Sequence, residues 1–165
     1  MELRIFASRL VIALVCGILI GLERQLRQRS AGLTTNSLVA VGACIFILIS
    51  ETVIANAMAA GGPVNNDNLR VLAQIVTGIG FLGAGVILRD GFTIHGLNSA
   101  ATIWCSAAVG SLCGYGLWQE AIIAVSTILF INWILKLVEH YLEKHNKNNP
   151  VADPYKKEDD DGKSQ

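Results

Sequence analysis

The most constraining feature is a series of long stretches without charge. Leu10 to Leu22 is uncharged, and Arg9 interrupts an apolar stretch that begins at Ile5. Ala31 to Ser50 runs 20 residues without a charge, and Val71 to Leu88 runs 18. Gly91 to Gln119 holds only His95 as an ionisable group, and Ala121 to Leu135 holds none. A helix rises about 1.5 Å per residue, so roughly 20 residues cross a hydrocarbon core of about 30 Å. Backbone groups in lipid must pair internally, which leaves helices or closed barrels. Barrels need short alternating strands, and these runs are continuous. The chain is therefore read as all-α, an integral membrane bundle of five transmembrane helices at about 4–22, 33–53, 69–88, 98–117 and 119–138. The alternative is a soluble five-helix bundle, which runs of this length disfavour.

Composition agrees. Of 165 residues, 52% are hydrophobic and 16% charged, against about a quarter charged in soluble domains. Mean hydropathy is +0.48. The 13 basic and 13 acidic side chains cancel, which excludes a basic nucleic-acid binder and an acidic disordered chain. The expected organisation is a transmembrane domain over 1–140 and a polar, disordered cytoplasmic tail over 141–165. Basic residues set the topology. Arg24, Arg27 and Arg29 follow the first span, Arg89 the third, and Lys136, Lys144, Lys147, Lys156, Lys157 and Lys163 the fifth. The opposite side holds Arg4 and Arg70. This places the N-terminus outside and the C-terminus in the cytoplasm.

Gly78-Ile79-Gly80-Phe81-Leu82-Gly83 fits the dinucleotide pattern G-x-G-x-x-G. It lies inside a membrane span instead of between a strand and a helix, so nucleotide binding is rejected. Small residues let membrane helices approach closely. Gly17, Gly21, Gly78, Gly80, Gly83 and Gly85 are accordingly expected to pack helices, with Gly80 and Ala84, and Gly110 and Gly114, as further pairs. Ala13, Gly17 and Gly21 also suggest a homo-oligomer interface. Cys16, Cys44, Cys105 and Cys113 lie within spans and read as packing residues.

Charge near hydrocarbon faces a partner or water. Glu23 and Arg24, Arg89 and Asp90, Thr34 to Asn36, and His95 to Ser99 all fall at the cytoplasmic ends of spans. They define an expected polar pocket at that mouth, with helix N-termini that attract anions. Glu51 and Arg70 are a candidate pair on the outer side. Magnesium needs oxygen ligands. The carboxylates Glu23, Asp90, Glu51 and Asp67 divide between the two faces, so no dedicated cage is visible. No Walker A sequence and no nucleophile–base set occurs, so the chain is read as a non-enzyme without a resident cofactor.

Gly21-Leu22-Glu23-Arg24 followed by Ala31-Gly32-Leu33-Thr34-Thr35-Asn36 resembles the first signature of the MgtC/SapB family. Arg70 to Ile87, with Gln74-Ile75-Val76-Thr77-Gly78-Ile79-Gly80-Phe81-Leu82-Gly83-Ala84-Gly85 at its centre, resembles the second. That second signature continues through Gly96-Leu97-Asn98-Ser99-Ala100-Ala101-Thr102 to Trp104. The resemblance covers about 5–138. It departs at Thr34, where the family usually has Arg, and at Asn98 and Ser99, where threonines are frequent. The expectation is a short form without the soluble C-terminal ACT-like domain of many members.

The resemblance implies an inner-membrane protein of magnesium limitation, virulence-associated in relatives. It implies a modulator of membrane energetics acting on the F-type ATP synthase. The alternative it implies is a magnesium transporter or channel. Expected partners are membrane lipid, a membrane protein and a further copy of the chain, with no nucleic acid. By similarity Asn98 ranks first among functional residues, followed by Glu23, Arg24, Arg70, Arg89 and Asp90.

Overall fold

The computed structural model describes residues 2–61 and 68–146. Five helices are present: α1 (Leu3–Leu26), α2 (Leu33–Ala59), α3 (Asn68–Gly85), α4 (Leu97–Gly114) and α5 (Trp118–Asn146). Two short strands, β1 (Leu88–Asp90) and β2 (Thr93–His95), form an antiparallel hairpin between α3 and α4. One compact unit ends at Leu129, and a second begins at Phe130 within α5. The polar tail expected from 141 begins as helix, because α5 continues to Asn146. The remainder of that tail, and Asp67, lie outside the described residues.

In the first unit α1 packs on α2, and both pack on α4. The reason lies in which residues face inward. On α1 the buried positions are Ala13, Cys16, Gly17, Ile20, Gly21 and Arg24, mostly small. Large apolar residues, Val11, Val15, Leu19, Leu22 and Leu26, face outward. A water-soluble helix does the opposite, hiding leucine and exposing small or charged side chains. Small residues inside and large apolar residues outside suit a lipid surround, where close backbone approach drives association.

The approach is very close. A Cβ added at Gly17 would sit 2.7 Å from Ser37 Cα, and one at Gly21 would sit 2.6 Å from Leu33 Cα. At Gly110 it would collide with the Ala40 carbonyl, and at Gly114 it would lie 2.7 Å from Ile47 Cβ. Around these contacts Ala13, Cys16, Ile20, Cys44, Leu48, Val109, Cys113, Ala121 and Val125 form the core. The stripe at Ala13, Gly17 and Gly21 is thus occupied by α2 of the same chain.

Two helices, Leu3–Leu26 and Leu33–Ala59, are long and apolar enough to cross a membrane. Leu69–Gly85 and Trp118–Ile134 are shorter apolar stretches. The expectation of helix through to Leu88 needs correction. The end of α3 tightens to bonds from Val86 N to Gly83 O and from Ile87 N to Ala84 O. The chain then turns into the hairpin at Gly91, whose φ is +56. Gly96, at φ +90, caps α4 so close to Val86 that a side chain there would strike its carbonyl. Left-handed backbone of this kind favours glycine strongly.

Candidate functional site

Polar side chains meet at three levels within the α1–α2–α4 body. At the end where α1 stops and α2 and α4 start, Arg24 is the largest fully buried side chain, 2% exposed. Its Nη2 donates to Ser99 Oγ at 2.9 Å. The Ser30 hydroxyl, from the loop joining α1 to α2, donates to the same oxygen at 2.9 Å. Glu23 beside it is held by Arg27, one helical turn on, at 2.5 Å.

At the second level Asn36 is wholly buried. Its Nδ2 donates to the Ala31 carbonyl at 2.9 Å and to that of Gly32 at 2.8 Å, and its Oδ1 accepts from Ser106 Oγ at 2.8 Å. The bond from Ser106 ties the start of α2 to the middle of α4, and the other two fold the amide back onto the residues that precede α2. A buried amide left without them would cost about 1–3 kcal/mol per missing bond.

The third level lies at the opposite end of α1. Arg9 Nη1 lies 2.5 Å from Glu51 Oε2 and donates to the Gly114 carbonyl at 2.7 Å, which links α1, α2 and α4. Glu51, the expected partner of Arg70, here takes Arg9. Arg9 and Arg24 are 15 residues apart, about 22 Å along the helix, so the bundle is polar-bonded at both ends.

The sequence-ranked residues divide. Arg24 enters the buried cluster and Glu23 lies on its edge. Asn98 is exposed, and its carbonyl accepts from Thr102 at 2.7 Å. Arg89 and Asp90 are exposed in the hairpin, with Arg89 Nε donating to the Gly91 carbonyl at 2.9 Å. Arg70 is exposed on the first turn of α3, away from the Arg24 end in sequence. The register of α4 makes the choice. Ser99, Thr102, Ser106, Val109, Gly110 and Cys113 recur at helical spacing and are all buried. Asn98, one turn before Thr102, falls at the edge of that stripe and is exposed. That inward stripe of small polar residues is readable in the sequence and identifies Ser99 and Ser106.

The packing glycines divide as well. Gly17 and Gly21 sit in the α1–α2 contact. Gly83 lies 3.6 Å from Ala100 Cβ, measured from an added Cβ. Gly78, Gly80 and Gly85 have nothing within 4 Å of that position. α3 turns Val71, Leu72, Ile75, Ile79 and Gly83 inward and leaves Ala73, Thr77, Gly80 and Ala84 exposed along its other side. An apolar groove of about 480 Å³ separates it from α2, bordered by Val39, Gly42, Phe46, Gln74, Gly78 and Leu82. A second groove, of about 330 Å³, lies between α3 and α4, bordered by Val76, Ile79, Trp104, Ala108, Ser111 and Tyr115. Among the described residues, no three of His, Cys, Asp and Glu come together as a metal-ligating group.

The fold is a helical bundle with large apolar side chains on its outer faces, polar bonding between helices at each end, and two helices long and apolar enough to cross a membrane. The chain belongs to the MgtC family, whose profile matches residues 10–141. It is 50% identical over 137 residues to the protein MgtC of Brucella abortus, covering 83% of this chain and 54% of that one. It is 51% identical over 131 residues to the protein MgtC of Salmonella typhimurium, covering 79% and 52%. With an uncharacterised protein of Synechocystis it shares 48% over 134 residues, covering 81% and 53%. The chain thus spans about half the length of these relatives. No solved structure matches it.

Proposed function

We propose that this protein is a non-enzymatic modulator of membrane energetics in adaptation to low magnesium. It lies in the bacterial inner membrane with five spans, its N-terminus outside and its C-terminus in the cytoplasm. It acts by contact with a membrane partner, the F-type ATP synthase, in the manner implied by its likeness to virulence-associated MgtC proteins. The observation that carries this reading is the open side of α3. Ala73, Thr77, Gly80 and Ala84 form a small-residue face, with a groove on each side of the helix, in a bundle where Gly17 and Gly21 of α1 and Gly110 and Gly114 of α4 are filled by α2. Such faces associate by backbone approach, with little help from polar contacts worth about 1–2 kcal/mol at most.

Two further observations support a modulator over a carrier of magnesium. The carboxylates Glu23 and Glu51 belong to opposite ends of the bundle, and each is bound by an arginine. The grooves beside α3 are lined almost wholly by apolar side chains. Co-purification tests the reading. The wild-type chain retains the synthase through mild detergent extraction, and Gly80→Leu, which keeps the fold, releases it. Equal retention by that variant counts against the α3 contact, and failure of the wild type to retain the synthase counts against the partner.

A further inference from the structure

We propose that the Arg24 cluster is a binding site for a phosphate group, supplied either by an anionic phospholipid headgroup or by free inorganic phosphate. The inference goes beyond the modulator reading and does not rest on it.

The first observation is the state of Arg24. Its side chain is 2% exposed, yet its Nε has no hydrogen-bond partner among the described residues. Taking a guanidinium out of water costs several kcal/mol unless an anion and a full set of hydrogen bonds replace the water. Here one nitrogen donates to a neutral serine and another donates to nothing described. Glu23, the carboxylate next to it in sequence, is bound to Arg27 at 2.5 Å. Residues 23–30 hold three arginines against that single carboxylate. The corner therefore carries net positive charge, and Arg24 keeps a buried donor, Nε, with no partner among the described residues.

The second observation is what surrounds that guanidinium. Ser99, which accepts from Arg24, is the third residue of α4, and the N-cap of α4 is Gly96, with no side-chain cap. α2 begins at Leu33 with Gly32 as N-cap, again with no side-chain cap. Free N–H groups at a helix start attract anions, and two uncapped helix starts flank one buried guanidinium. Ser30 and Ser99 add two hydroxyls, each able to donate to a phosphate oxygen. Ser30 is exposed, so the cluster reaches the surface through its side chain. A planar guanidinium, two hydroxyls and helix N–H groups make a donor set matched to a tetrahedral oxyanion and poorly matched to a cation. The binding step is non-covalent: Arg24 Nε and Nη2 donate to phosphate oxygens, and Ser30 and Ser99 turn their hydroxyls from each other toward the anion.

The test uses the full chain in a neutral, phosphate-free maltoside detergent. One arm is titrated with inorganic phosphate and the other with phosphatidylglycerol, and the midpoint of thermal unfolding is read in each. A ligand that binds only the folded protein raises that midpoint. A rise in the lipid arm alone identifies the headgroup, and a rise in the phosphate arm identifies the free anion. Ser30→Ala and Ser99→Ala leave the charge unchanged, so non-specific attraction of anions survives in them. In either variant the half-saturating concentration should rise about tenfold. Arg24→Lys, which keeps the charge and loses the fork, should do the same. If neither ligand moves the wild-type midpoint, the site is overturned. It is equally overturned if Ser30→Ala, an exposed substitution that keeps the fold, titrates like the wild type and Ser99→Ala does too.

Discussion

The α1–α2–α4 body and α3 use the same residues to opposite ends. In the body, Gly17, Gly21, Gly110 and Gly114 are each pressed against a neighbouring helix, closely enough that a methyl group would collide. On α3, Gly78, Gly80 and Gly85 face open space. Both regions carry small residues at a spacing of four, Gly17 and Gly21 in one, Gly80 and Ala84 in the other. Spacing shows that a helix can be approached closely. It does not show which helix makes the approach. In the body that question is answered within the chain, and on α3 no described residue answers it for Gly78, Gly80 and Gly85.

Substitution can break this comparison. The largest effect belongs to the body. Gly110→Leu forces a side chain into the Ala40 carbonyl, and α2 and α4 must separate. Overpacking of this kind costs about 3 kcal/mol or more, read as loss of folded protein in detergent or a large fall in Tm. A smaller loss follows when one end of the body is unpaired. Glu51→Leu strands Arg9, whose side chain is 21% exposed, at a cost of roughly 2 kcal/mol, below the 3–5 of a fully buried pair. Ser106→Ala removes the donor to Asn36 Oδ1 and costs about 1–3 kcal/mol, read the same way. Gly80→Leu adds its side chain to open space, so its Tm stays within the change expected of about 0.5 kcal/mol. A Gly80→Leu protein as damaged as Gly110→Leu would erase the distinction between the two regions. Smallest of all is Asn98→Ala, an exposed site whose side chain the bundle does not enclose; its unfolding midpoint should match that of the wild type.

Much of the fold was legible because long apolar helices announce themselves by the absence of charge. The starts of α2 and α4 fall within a residue of the expected 33 and 98. The hairpin was not legible. Val86 to Leu88 continues the apolar run of the span before it, and Arg89, Asp90, Gly91 and Gly96 mark that the helix ends without showing that the chain pairs as strands. The polar end was partly legible. Arg24 stood out as a charge at the edge of a span, and the structure buries it. Asn98 outranked Ser99 by the family resemblance, whereas one step of about 100° along α4 decides which of them meets Arg24. Asn36 and Ser106 are 70 residues apart, and their bond follows from the packing of α2 on α4, which no local pattern specifies.

The most direct test of the modulator reading is magnesium flux in proteoliposomes that hold only this purified protein, followed by an entrapped indicator dye. Folded, correctly oriented protein is predicted to pass no more magnesium than empty liposomes. Clear flux, abolished by Glu23→Gln or Asn98→Ala, would contradict the account and make the protein a transporter.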